Sequence, residues 1–143
     1  EDLGLPLRKA AMGCIEMMLG TIPDLINISE LLPPVILNSG NKFMVKKHMN
    51  DYEALKIHTQ MVIIKICGIA SGPVLGCLDG ILANLKLNIE DEVKNSLLRK
   101  SSLRLLITLK GLEGADVCPT LRETYESIAS SEENMKIMEE FGK

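Results

Sequence analysis

Tryptophan is missing from this chain, and aromatic residues make up only 3% of it: Phe43, Tyr52, Tyr125 and Phe141. Surfaces that hold single-stranded nucleic acid stack bases on aromatic rings, so the composition is poor material for one. A strong charge of one sign is also lacking. The net charge is −3, which argues against a general phosphate-binding protein. The four cysteines, Cys14, Cys67, Cys77 and Cys118, show no metal-type spacing, and neither His48 nor His58 lies near one in sequence. They read as reduced, structural thiols of an intracellular protein, with Cys14 and Cys67 on apolar stripes as small hydrophobes. No signal-peptide pattern precedes the first helical stretch. The most apolar run, Met61–Ala70, is too short to span a bilayer and contains Lys65. Sustained strand alternation occurs nowhere.

What is present is an apolar fraction of 46% in 143 residues, one domain's worth of chain. A chain of this length buries roughly 70% of its unfolded surface and needs no covalent staple. Its Leu, Ile, Val and Met suit helix-on-helix packing. Three segments read as one helix written three times: Leu7–Leu19 (LRKAAMGCIEMML), Leu55–Cys67 (LKIHTQMVIIKIC) and Leu98–Lys110 (LRKSSLRLLITLK). Each opens with Leu and a basic residue. Small or modestly polar residues follow (Ala10/Ala11, His58/Thr59, Ser101/Ser102), and then an apolar stripe. The copies lie 48 and 43 residues apart. A period of that length with two helices per unit marks a stacked helical solenoid. Solenoids mostly offer surfaces to other proteins. The fold class expected is all-α, a HEAT-repeat solenoid of three helix pairs, about 1–40, 50–88 and 90–130, plus a capping helix over 131–142.

The first helix starts at Pro6, a first-turn proline, and ends near Gly20. The second runs from about Ile28 with Leu31, Leu32, Val35 and Ile36 inward. Pro33-Pro34 predicts a kink or a restart at Pro34, because proline removes a helix hydrogen bond and clashes with the previous turn. Residues 41–50 form a basic loop with an apolar centre, and Asn50 with Glu53 resembles a capping box. The third helix runs to about Ile69 and is apolar nearly all round, so it is buried on most sides. Ser71-Gly72-Pro73 begins a helix with Val74, Leu75, Leu78, Ile81, Leu82 and Leu85 on one face. Gly68, Gly72, Gly76 and Gly80, four residues apart, suggest close helix approach. A long helix covers about Glu90–Leu112, and another about Asp116–Ser130 with Val117, Leu121, Tyr125 and Ile128 inward. Ser130-Ser131-Glu132-Glu133 opens a last helix whose Met135, Met138 and Phe141 dock.

Residues 91–114 carry five basic and three acidic side chains, and residues 115–143 carry three basic and seven acidic. The acidic end suits the terminal unit of a stack, whose outer face must be polar. The first helix has no such polar skin, and the sequence starts almost within it. The chain is therefore expected to be a fragment of a longer solenoid, with a neighbour on its amino-terminal side.

Nothing in the sequence assembles a catalytic constellation. A nucleophile–base pair needs Ser or Cys beside His; His48 falls in a loop, and His58 fills the slot of Ala10 and Ser101. Asp79 reads as a cap or solvated acid. No glycines form a phosphate loop. Catalytic, cofactor and metal sites are accordingly read as none. The basic side chains Lys100, Arg104 and Lys110 read as a solvated face. Partner contacts are assigned to the second helices of the pairs and the basic loop: Arg122, Glu123, Glu126, Lys46 and Lys47. An alternative reading is a scaffold of transport or transcription binding a basic protein or nucleic acid, although the low aromatic content disfavours nucleic acid.

The order and spacing of three segments resemble a known family. Leu5–Leu19 (LPLRKAAMGCIEMML), the 98–110 helix and the terminal Ser-Glu-Glu-Asn-Met-Lys-Ile-Met-Glu-Glu-Phe are similar to the carboxy-terminal domain of the cullin-associated, neddylation-dissociated proteins. That domain is also known for its interaction with the TATA-binding protein. The resemblance covers nearly the whole chain; Pro33-Pro34 and an insertion at 40–49 depart from the pattern. It implies HEAT repeats that wrap an unmodified cullin–RING ligase scaffold and promote exchange of substrate receptors. The carboxy-terminal end would approach the cullin's amino-terminal, adaptor-binding region. It implies no cofactor and no catalytic residue, a possible TATA-binding-protein partner, no membrane, and a place in cytoplasm and nucleus.

Overall fold

In a computed structural model, which describes residues 4–40, 49–90 and 96–141, eight α-helices account for nearly all of the described chain, with no strand among those residues. They are α1 (Leu5–Thr21), α2 (Ile28–Leu37), α3 (Met49–Ile69), α4 (Ser71–Gly76), α5 (Leu78–Glu90), α6 (Ser96–Lys110), α7 (Pro119–Ala129) and α8 (Glu132–Phe141). The thrice-written helix supplies α1, α3 and α6. These pack side by side, α1 on α3 and α3 on α6, as one layer. The second layer is α2, then α4 and α5, then α7, joined through α2–α4 and α5–α7 contacts. α8 lies over α6 and α7. The all-α, two-layer stack is consistent with a HEAT-like solenoid.

The core lies between the layers and is almost entirely aliphatic. Leu32, Val62, Ile63, Ile66, Leu103, Leu106, Leu109 and Leu121 are fully buried. α3, the central helix, buries Tyr52, Leu55, Val62, Ile63, Ile66 and Cys67, so its expected burial on most sides is observed. Burial pushes the Cys67 thiol up to about 11. All four cysteines are free.

Polar side chains also tie the stack. Gln60 of α3 donates to the Ser102 hydroxyl of α6 at 2.7 Å, and both residues are buried. The Ser102 hydroxyl in turn donates to the Leu98 carbonyl at 2.8 Å. At the end of α2, where helix carbonyls lack intrahelical partners, α5 supplies amides. Asn84 Nδ2 donates to the Ile36 carbonyl at 3.0 Å, and Asn88 Nδ2 to the Ser39 carbonyl at 2.8 Å. Gly40 sits against this clamp: a Cβ there would come 2.5 Å from Asn84 Oδ1.

Several expectations from the sequence need correction. α2 does not restart at Pro34 but runs as one helix through both prolines. The carbonyls they orphan belong to Ser29 and Glu30, both exposed, so water can serve them. Asn27 provides the cap, accepting from the Glu30 N–H at 3.4 Å. Met49 is already helical in α3, so Asn50 lies inside the helix and not at its cap. The helix after Ser71 breaks at Cys77, whose N–H bonds Val74 three residues back, and α5 then reaches Glu90. The expected start of the long helix near Glu90 falls on 91–95, outside the described residues; from Ser96 the helix is observed as α6. Gly68, Gly72 and Gly76 have no heavy atom within 4 Å of a built Cβ, and Gly80 makes only an ordinary contact, so the four glycines do not mark close helix approach. Val117 is 76% exposed, because residues 115–117 form a short 3-10 turn and Pro119 resets the start of α7. Gly114, at φ +88°, makes the left-handed turn that leads there. Ser131 alone caps α8, accepting from Asn134 N–H at 3.4 Å, and Phe141 remains exposed while Met138 docks. Cys14 is exposed, since no helix lies along its side of α1.

Candidate interaction surface

α7 owes its position to Leu121, Thr124 and Ile128, which are buried at helical spacing and hold its inner face to the core. The opposite face therefore presents Arg122, Glu123 and Glu126, all exposed and free of ion pairs among the described residues. Pro119 stands one turn before them on the same stripe. It also forms the wall of a shallow groove of about 260 Å3 between α7 and the α4–α5 break. Leu75, Leu78 and Cys118 give this groove apolar lining, and Asp79 and Thr120 give it polar lining. The groove and the charged stripe form one continuous strip on the second layer. Lys46 and Lys47, the other sequence candidates, lie outside the described residues, as does His48.

Asp79 is exposed in the first turn of α5, as read from the sequence. Lys100 and Arg104 are exposed on α6. Lys110 leaves their stripe and lies 5.4 Å from the centroid of the Tyr125 ring. Arg99 pairs with Glu133 of α8 at 2.8 Å. His58 meets Glu16 of α1 at 3.1 Å, each side chain about one-third exposed. The contact ties α1 to α3. Among the described residues no group of His, Cys, Asp and Glu could hold a metal ion. No helix among them is long and apolar enough to cross a membrane. The strip on α4, α5 and α7 can therefore grip a protein by shape and charge, and the side chains lining it provide no acid–base pair for chemistry.

Sequence reading chose Arg122, Glu123 and Glu126 as lying on the second helix of the last pair, and the structure places them exposed on α7. It missed the groove, because the break at Cys77 that opens it interrupts an apolar pattern that reads as unbroken. It missed the His58–Glu16 contact, because the partners lie 42 residues apart. No solved structure matches the chain. The family model described as TATA-binding protein interacting (TIP20), or TIP120, matches residues 1–135.

Proposed function

The chain belongs to the TIP120 family, and from this we propose that it is a non-enzymatic, protein-binding part of a cullin-binding factor. In this reading it helps to sequester the unmodified cullin–RING ligase scaffold and promotes exchange of substrate receptors. The observation that carries the reading is the family match over residues 1–135, nearly the whole chain. A helical stack that offers a mixed apolar and charged strip, with no convergent titratable groups beside it, fits a scaffold. The partner surface is the strip on the second layer, with Arg122, Glu123 and Glu126 as its charged edge. It faces the cullin's amino-terminal, adaptor-binding region.

The test is a pull-down of purified cullin–RING scaffold, with and without its ubiquitin-like modifier. Unmodified scaffold is expected to be retained in excess. Combined charge reversal, Arg122→Glu with Glu126→Lys, should weaken capture about tenfold, the effect of about 1.4 kcal/mol. Equal capture of both scaffold forms, or unchanged capture by the variant, counts against it. The family description itself motivates a second reading, in which the TATA-binding protein is the partner. Titration with purified TATA-binding protein distinguishes the two.

A further inference from the structure

The groove between the α4–α5 break and α7 belongs to the strip assigned above to partner binding, and its walls define what it accepts. At about 260 Å3 it is smaller than the roughly 300–1,000 Å3 of small-molecule pockets, so it suits one or two side chains of a larger partner. Interrupted helix makes both walls. On one side α4 ends at Gly76 and α5 restarts at Leu78. On the other, a 3-10 turn over Ala115–Val117 gives way to α7 at Pro119. The Gly114 turn brings the walls together: a Cβ built there would stand 3.4 Å from Leu75 Cδ1.

Leu75, Val117 and Pro119 give the groove apolar surface. Val117 is 76% exposed and Pro119 is exposed, so this surface lies open to water and gains free energy when covered. A lone exposed valine means little, but this one borders a recess with further apolar walls. Asp79 is the charged residue of the lining. It is exposed in the first turn of α5, where the helix dipole favours an acidic side chain, and has no ion pair among the described residues. Asp116, next to Val117, and Glu123, one turn after Pro119, are further exposed acids on this side. Arg122 is the cation of the α7 edge, and Lys86 stands two turns along α5 from Asp79. A carboxylate entering the groove would meet a like charge at Asp79, and an ammonium or guanidinium an opposite one.

We propose that this groove is a selective subsite for a partner segment that presents an aliphatic side chain beside a lysine or arginine. The aliphatic group packs on Leu75, Val117 and Pro119, and the cation pairs with Asp79. The proposal rests on the reading of the second-layer strip as the partner surface, and it adds the chemistry the partner must bring there. Acidic segments are turned away by charge, and purely polar ones gain nothing from the apolar walls.

The full chain, isotope-labelled on nitrogen, is titrated with three capped pentapeptides while the amide signals of Leu78, Asp79 and Thr120 are followed. The first peptide is Ala-Ala-Leu-Lys-Ala; the second has Glu for Lys, and the third has Ser for Leu. The first should shift these signals saturably, and each of the others should bind about tenfold more weakly. At about 1 M salt, where charges act over only about 3 Å, the Lys–Glu difference should shrink and the Leu–Ser difference persist. Asp79→Lys should reverse the order of the Lys and Glu peptides. Val117→Ser should weaken the first peptide and leave the preference for Lys over Glu. Both positions are exposed, so each variant keeps the core intact. Equal binding of the Lys and Glu peptides, an unchanged order in Asp79→Lys, or no saturable shift overturns the proposal. So does capture of unmodified cullin–RING scaffold that Asp79→Lys leaves unchanged. Peptides that bind in the expected order, to a chain that captures no scaffold, support the subsite and remove the cullin reading instead.

Discussion

Burial holds the Cys67 thiol protonated to about pH 11, against an ordinary value of 9.0. Between those values the unfolded chain loses a proton that the folded chain keeps. The native state is therefore fully favoured below pH 9 and loses that advantage as pH rises toward 11. In urea titrations, the stability advantage of the chain over Cys67→Ala should shrink by about 2 kcal/mol from pH 8 to pH 11. A constant difference would place the thiol in a more hydrated site. Gly40 gives a second prediction at this scale. A Cβ 2.5 Å from Asn84 Oδ1 forces that side chain away from the carbonyl it serves on α2. Gly40→Ala should cost about 1 kcal/mol, the size of one lost hydrogen bond, since the Ser39 N–H and hydroxyl still donate to the Ile36 carbonyl. Gly40→Ala combined with Asn84→Ala should lose less than the two separate costs added together, as expected for residues in contact.

Between elements, the Gln60–Ser102 bond joins two helices through otherwise apolar surface. Ser102→Ala removes the acceptor and strands a buried amide, so it should destabilise by about 1–3 kcal/mol. Gln60→Leu with Ser102→Ala removes both partners and should come close to the original stability. Chemical denaturation of the single and double variants gives the coupling directly. Elements of this kind show where the sequence could and could not be read. The approximate spans of α1 and α3 follow from apolar spacing and Pro6, which are local signals, whereas the start of α7 at Pro119 was read three residues too early, at Asp116. The Gln60–Ser102 bond and the Asn84–Asn88 clamp join polar side chains to groups 42 to 49 positions away, backbone carbonyls in the clamp. Pattern alone leaves such residues as surface. The break at Cys77 was hidden for the opposite reason: Leu75, Leu78 and Leu82 keep helical spacing across it. The restart at Pro34 is not observed because its cost depends on whether the freed carbonyls meet water, which local pattern does not encode.

At the scale of the molecule, the two layers are unequally covered. α3 has helices on both sides, whereas α1 has α3 on one side and solvent along Leu7, Cys14 and Met18 on the other. Native-state hydrogen exchange should find amides in the middle of α1 less protected than those of α3. Protection of α1 equal to or above that of α3 would contradict the packing described. The candidate strip on α4, α5 and α7 was half legible. Their place on the second helix of the last pair singled out Arg122, Glu123 and Glu126, but the groove beside them exists only because two distant helices meet.

α8 gives the stack a polarity that governs how copies could associate. It packs on α6 and turns Glu132, Lys136, Glu139 and Glu140 to solvent, so this end is charged while the α1 end is adhesive. Head-to-tail joining, the heterologous contact that propagates filaments, would have to press an apolar stripe onto that acidic surface. The acidic α8 end therefore disfavours that contact, whereas an isologous contact between two α1 faces would close on itself after two copies. The charged α8 end thus guards the stack against open-ended growth.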